Sequence, residues 1–192
     1  MAVIDSRSSG VLRPLSGTNT GEVETRLRLF VSAVTGIDQK LVRKRWLPRP
    51  GTQPKLNEDW CAVGVNNLKT WGTPNFRGRK GDIEDPLSGD IESEAHQTLY
   101  CLASFYGPNA AENADIFRSG LLLPQNNAYF QSQGLTIQSV NDEIRHLPDF
   151  LLQQWVDRYD VSFSVGRKVS RTYGVRTIAS ADVEIITKRG KL

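Results

Sequence analysis

The chain has 192 residues, with 24 Lys and Arg against 21 Asp and Glu, a net charge of +3 and 39% hydrophobic residues. That length supports one domain with a real core and long polar loops. So small a charge does not announce nucleic-acid binding, and no apolar run approaches the ~20 residues that a membrane-spanning helix needs. The first ten residues carry no apolar signal core, so export by the usual route is not expected. Cys61 and Cys101, the only cysteines, sit in strand-like apolar runs. They read as buried free thiols, with a disulfide between neighbouring strands as the lesser alternative.

Residues 1–21 are rich in Ser, Gly and Thr and read as an extended arm; residues 22–192 read as a single domain. Asn19 to Thr35 is the best helix. Asn19 or Thr20 can cap it, Glu22 and Glu24 suit its positive end, and Val23, Leu27, Phe30, Val31 and Val34 form one apolar stripe. Gly36 is a natural terminator. Leu41 to Leu47 alternates weakly, as a short strand. Lys40, Arg43, Lys44, Arg45, Arg49 and Lys55 follow one another with no acid before Glu58. Such a run fits a solvated edge or a protein partner, and the alternative is a nucleic-acid-binding domain using segment 40–55. Pro48, Pro50 and Pro54 interrupt regular structure beyond it.

Trp60 to Trp71 predicts a second strand. Gly72 to Glu92 predicts a long charged loop, basic at Arg77, Arg79 and Lys80, then acidic at Asp82, Glu84, Asp85, Asp90 and Glu92. Glu94 to Tyr106 predicts a third strand. A helix over 110–119 should bury Ala111, Ala114 and Phe117 or Ile116, with Gly120 ending it. A short helix runs from Pro124 to Gln131, a strand from Leu135 to Val140, and an amphipathic segment from Leu147 to Trp155.

From Tyr159 to Tyr173 the alternation is clean. Tyr159, Val161, Phe163, Val165 and Val169 share a face with Arg167, Arg171 and Tyr173; Asp160, Ser162, Ser164, Lys168, Ser170 and Thr172 share the wet one. At ~3.3 Å per residue the run reaches roughly 50 Å, whereas a domain of this size is about 40 Å across. It should break at Gly166 or find a partner outside its own subunit. A second strand should follow Gly174 and end at Thr187. Few consecutive strands are linked by a helical crossover, which predicts an α+β fold: a mostly antiparallel or mixed curved sheet with helices on one side.

No motif for phosphate binding, nucleophilic catalysis or a structural metal site is present. Glu143 and His146 have the one-turn spacing of a carboxylate-bridged site but lack the second copy such sites need, so they read as a surface turn. Asp182 and Glu184 fit the outward face of the last strand.

Asp5-Ser6-Arg7-Ser8, Trp46-Leu47-Pro48, Trp60-Cys61-Ala62, Ser104 to Ala110, Arg118 to Leu121, Arg158-Tyr159-Asp160, and Arg171 with Tyr173 and Val175 are spread along the chain. In their order and spacing they resemble the phage neck terminator, or tail terminator, family of tailed bacteriophages. The resemblance implies a non-enzymatic structural virion protein without cofactor or metal, assembled in the host cytoplasm and located in the tail and neck. It implies a homo-hexameric ring on the end of the tail tube that stops tube polymerisation and joins the head. Its partners would be itself, the tail tube protein, head-completion and neck proteins, the sheath protein if the tail is contractile, and genomic DNA passing without sequence readout. No membrane is involved. Arg167 and Arg171, on an otherwise apolar face, need partners, and acidic groups across a subunit boundary are expected. With Tyr173, Arg43, Arg45, Arg79, Asp82 and Asp85 they are the expected subunit or tube interface.

Overall fold

The computed structural model describes residues 2–3, 11–18, 21–47, 52, 54–79, 88–151 and 153–176. Its elements are β1 (Ala2–Val3), β2 (Val11–Leu12), β3 (Ser16–Gly17), α1 (Gly21–Thr35), β4 (Val42–Lys44), β5 (Trp60–Arg79) and β6 (Ser88–Tyr106). There follow α2 (Ala110–Leu121), α3 (Pro124–Ser132), β7 (Leu135–His146), β8 (Asp149–Leu151), β9 (Gln154–Val156) and β10 (Arg158–Arg176). The fold is α+β, with a mixed six-stranded sheet and helices on one side. Sheet order is β3-β10-β6-β5-β4, and β7 also pairs with β10. β10 runs antiparallel to β7 and β3, and β4 runs parallel to β5.

Two compact units divide the chain. One comprises residues 18–73 and 95–169; the other comprises 1–17, 74–94 and 170–192.

The first unit holds the core. Val23, Leu27, Phe30 and Val31 of α1 are buried, as the stripe predicts, and Gly36 closes the helix with a φ of 77° and an amide donated to Ser32 O. Phe30, Phe117 and Phe130 interlock, with Phe30 edge-on to both at centroid distances of 6.0 and 4.5 Å. Phe117 also meets Phe105 of β6 and Phe163 of β10 at 5.5 and 5.6 Å. The two cysteines lie buried as free thiols, and burial pushes the Cys101 thiol up to about 12.

Several expectations are corrected here. Gly120 does not end α2, which continues through Leu121. Its role is space, because a Cβ there would sit 2.5 Å from Val34 Cγ1 of α1. Ala111 faces solvent, as does Ile116, while Ala114 and Phe117 are buried. Leu147 to Trp155 is no single amphipathic segment. It contains the antiparallel pair β8–β9, with Phe150 edge-on to Trp155 at 5.3 Å. Glu143 and His146 stand on β7 rather than in a turn, so an i,i+3 pair points to opposite faces.

β10 does not break at Gly166. Its apolar face is buried from Val161 to Val169, but Arg171 is exposed. The face read as wet is not uniformly so, since Asp160 and Ser164 are each 4% exposed. Both are covered because both are paired: Ser164 Oγ lies 2.6 Å from Ser139 Oγ of β7, and Asp160 accepts from Arg158.

The second unit has a different character. β1 pairs parallel with β2, and β3 pairs with β10 at Ser16–Thr172 and Gly17–Arg171. The remaining described parts are the far ends of β5 and β6, so the described residues of the expected loop, 72–79 and 88–92, are strand. β5 extends to Arg79 and β6 begins at Ser88. Side-chain alternation does not betray this, because Gly72 to Arg79 exposes nearly every residue, Phe76 included; the strands continue as a hydrogen-bonded pair. The strand expected to end at Thr187 lies outside the described residues, as do Asp182, Glu184 and the helix-capping candidates Asn19 and Thr20.

Candidate assembly surface

The most chemically loaded surface of the first unit is a concavity of about 330 Å³ where β4 meets the start of β5 and the end of β6. Arg43, Lys44, Arg45, Trp46, Pro54, Trp60, Tyr106, Asp149 and Arg158 line it. Local geometry explains its floor. Gly107, at a φ of 107°, turns β6 into α2; a Cβ there would lie 2.5 Å from Glu58 O and 2.8 Å from Asp59 Cα. Asp59 then accepts hydrogen bonds from the Asn109 backbone and side-chain amides, both at 2.8 Å. With Asp59 and Gly107 so fixed, their neighbours Trp60 and Tyr106 stack face to face, with centroids 4.0 Å apart and planes 3° from parallel.

The wall is basic. Arg45 donates its amide to Val63 O at 3.0 Å, and its guanidinium donates to Ser104 Oγ and lies 5.6 Å from the Trp46 ring centroid. Arg43 donates to Thr52 O. Lys44 pairs with Glu24 at 3.7 Å. Arg158 forks onto Asp160 at 2.9 and 2.7 Å and reaches Asp149 at 3.4 Å. Burial pushes the Asp160 carboxyl up, but its bonds from Arg158 and Ser104 outweigh that and hold it below its usual range. The same hydrogen bond to Asp160 raises Arg158, and burial raises the Tyr106 hydroxyl. Lys44 and Arg158 are thus compensated. Arg43 and Arg45 make no ion pair among the described residues.

The other expected interface residues fall elsewhere. Arg167 is 7% exposed and donates to Gln97 Oε1 of β6 from Nε and Nη2 at 3.1 and 2.9 Å. It therefore has a neutral partner in its own chain, and Gln97 in turn donates to Thr70 of β5 at 3.1 Å. A second polar relay joins Trp71, Thr98 and Gln138 through two 2.7 Å bonds. Arg171 and Tyr173 belong to the second unit, as does Arg79, which pairs with Glu92 at 3.0 Å. Asp82 and Asp85 lie outside the described residues.

Three features were missed from sequence. The Trp60–Tyr106 stack joins residues far apart in the chain and leaves no local trace. The Arg158–Asp160 fork does leave one, since i and i+2 on a strand share a face. The third is the aromatic pair on β8–β9, where Phe150 is 57% and Trp155 74% exposed. Among the described residues, no group of three or more His, Cys, Asp and Glu side chains could hold a metal ion.

The family model for the phage neck terminator protein matches residues 21–191. No curated protein matches the chain.

Proposed function

The chain belongs to the phage neck terminator family, and on that premise we propose that it forms a ring of six subunits at the head-proximal end of the tail tube. A protein of this family is a structural component of the phage neck. In our reading the ring stops tube polymerisation and presents the surface on which the head-completion proteins dock. Its partners are its own copies, the tail tube protein, the neck proteins and, in a contractile tail, the sheath protein. Genomic DNA passes through the channel without sequence readout, and no catalysis is required of the chain.

The family match over nearly the whole chain is the observation that carries this reading. The structure adds support of two kinds. Large apolar side chains stand in the open at Trp46, Trp71, Phe76, Phe150 and Trp155, each more than half exposed, as a partner-binding protein would present them. The second unit, which includes Arg79, Arg171 and Tyr173, offers paired strands and no buried apolar side chain among its described residues, as a surface that neighbouring subunits or the tube complete would do. Negative-stain microscopy of the purified protein with and without tail tubes tests the proposal. Rings, and caps at tube ends with arrested elongation, are expected. Monomers that leave tube growth unchanged would overturn it.

A further inference from the structure

We propose that the concavity at Arg43, Arg45 and Trp46 receives the acidic segment 82–92 of a second copy of this chain. This rests on the ring reading above and names the contact that would build the ring.

The two surfaces are complementary in kind. Segment 82–92 carries Asp82, Glu84, Asp85, Asp90 and Glu92 and no basic residue, with Ile83, Pro86 and Leu87 between the acids; Glu92 is held by Arg79 of its own chain, so the acids offered are those before it. Segment 40–55 carries Lys40, Arg43, Lys44, Arg45, Arg49 and Lys55 and no acid. Within the concavity the cations divide into two sorts. Lys44 and Arg158 are held by carboxylates of their own chain, whereas Arg43 and Arg45 bond only to neutral oxygens among the described residues. An incoming carboxylate therefore meets two cations that no ion pair holds among the described residues, Arg43 and, within electrostatic reach of Asp160, Arg45. Beside them, Trp46 is 64% exposed and the Trp60–Tyr106 stack forms an apolar floor, which suits the Ile-x-x-Pro-Leu residues better than a purely ionic ligand. Arg geometry favours carboxylates, and aromatic-lined grooves favour proline-bearing segments.

The contact is head-to-tail. Patch and segment are different parts of the chain and each occurs once, so every subunit gives one and receives one. Contacts of that type close into rings when the rotation allows.

Charge exchange tests it on the full-length protein. Arg43→Glu reverses the receiving patch, and Asp82→Lys/Asp85→Lys reverses the donated segment. Circular dichroism confirms folding of each, and the second variant leaves every residue of the described core unchanged. Ring formation is read by sedimentation velocity and by capping of tail tubes. Each variant alone should assemble about tenfold more weakly than the unmodified chain, the loss expected when a contact of roughly 1.4 kcal/mol is removed. An equimolar mixture should recover assembly, because alternating subunits in an even-numbered ring restore opposite charges at every junction.

Variants that assemble like the parent would overturn the contact while leaving the ring reading intact. So would a single chain carrying both reversals that assembles while the mixture does not, since that places the contact within one chain. Intact rings combined with loss of salt-sensitive duplex binding in Arg43→Glu would assign the patch to DNA instead. If the parent chain itself makes neither rings nor caps, the ring reading falls first and this contact with it.

Discussion

The two units use the same long strands in opposite ways. In the unit of residues 18–73 and 95–169, β5, β6 and β10 face helices, and every residue of the apolar cluster, from Val23 to Val165, belongs to it. In the unit of residues 1–17, 74–94 and 170–192, no apolar side chain is buried among the described residues. Backbone ladders alone hold a strand pair only marginally in water. The difference therefore concerns where the stability lies: among the described residues one unit carries the whole apolar core, and the other contributes none of it.

That contrast can be broken at its strong end first. Phe117→Ala removes the ring that joins α2 to α1, β6 and β10, and should lower unfolding stability by about 3–5 kcal/mol in urea titration. A loss under 1 kcal/mol would mean that the aromatic cluster is not the keystone of the first unit. Gly120→Ala forces a methyl against Val34 and should cost about 1–3 kcal/mol; a neutral result would show that α1 and α2 can separate freely.

Asp160→Asn should cost about 2 kcal/mol at neutral pH by weakening the fork from Arg158. Its pH dependence has a definite sign. The folded carboxyl is depressed below the ordinary value of about 3.9, so its stabilisation is complete above that pH and disappears as pH falls through the folded value. The Asn variant should therefore lose less stability than the parent on acidification below about pH 4. At the weak end, Arg79→Ala breaks an exposed pair with Glu92 and should change stability by less than about 0.5 kcal/mol. Hydrogen exchange sharpens the same point: amides of 74–79 should exchange well ahead of those at 61–65 on the same strand, and equal protection would erase the distinction.

Periodicity made the first unit legible. The α1 stripe, Gly36, α3 and the buried face of β10 up to Val169 are where apolar spacing and local turn chemistry agree with the tertiary result. It failed where tertiary contacts outrank local signals. Gly120 looks like a helix stop but is required by the approach of Val34. Gly166 looks like a break, yet β10 passes through it next to Gln138. Gly72 to Arg79 looks like a loop because Phe76 is its lone large apolar residue and no alternation marks a strand. The candidate surface was half legible: Arg43 and Arg45 announce themselves as a charge run, whereas the Trp60–Tyr106 floor exists only because Asp59 and Gly107 meet through the turn into α2.

The distribution of indole rings has an optical consequence. Trp46, Trp71 and Trp155 are 64%, 53% and 74% exposed, and only Trp60 is stacked into the surface. The emission of an isolated subunit should be dominated by water-relaxed indoles, and covering any of those three faces should move it to shorter wavelength. The chain thus carries its own fluorophores at the positions where docking would change their surroundings, and association can be followed without a label.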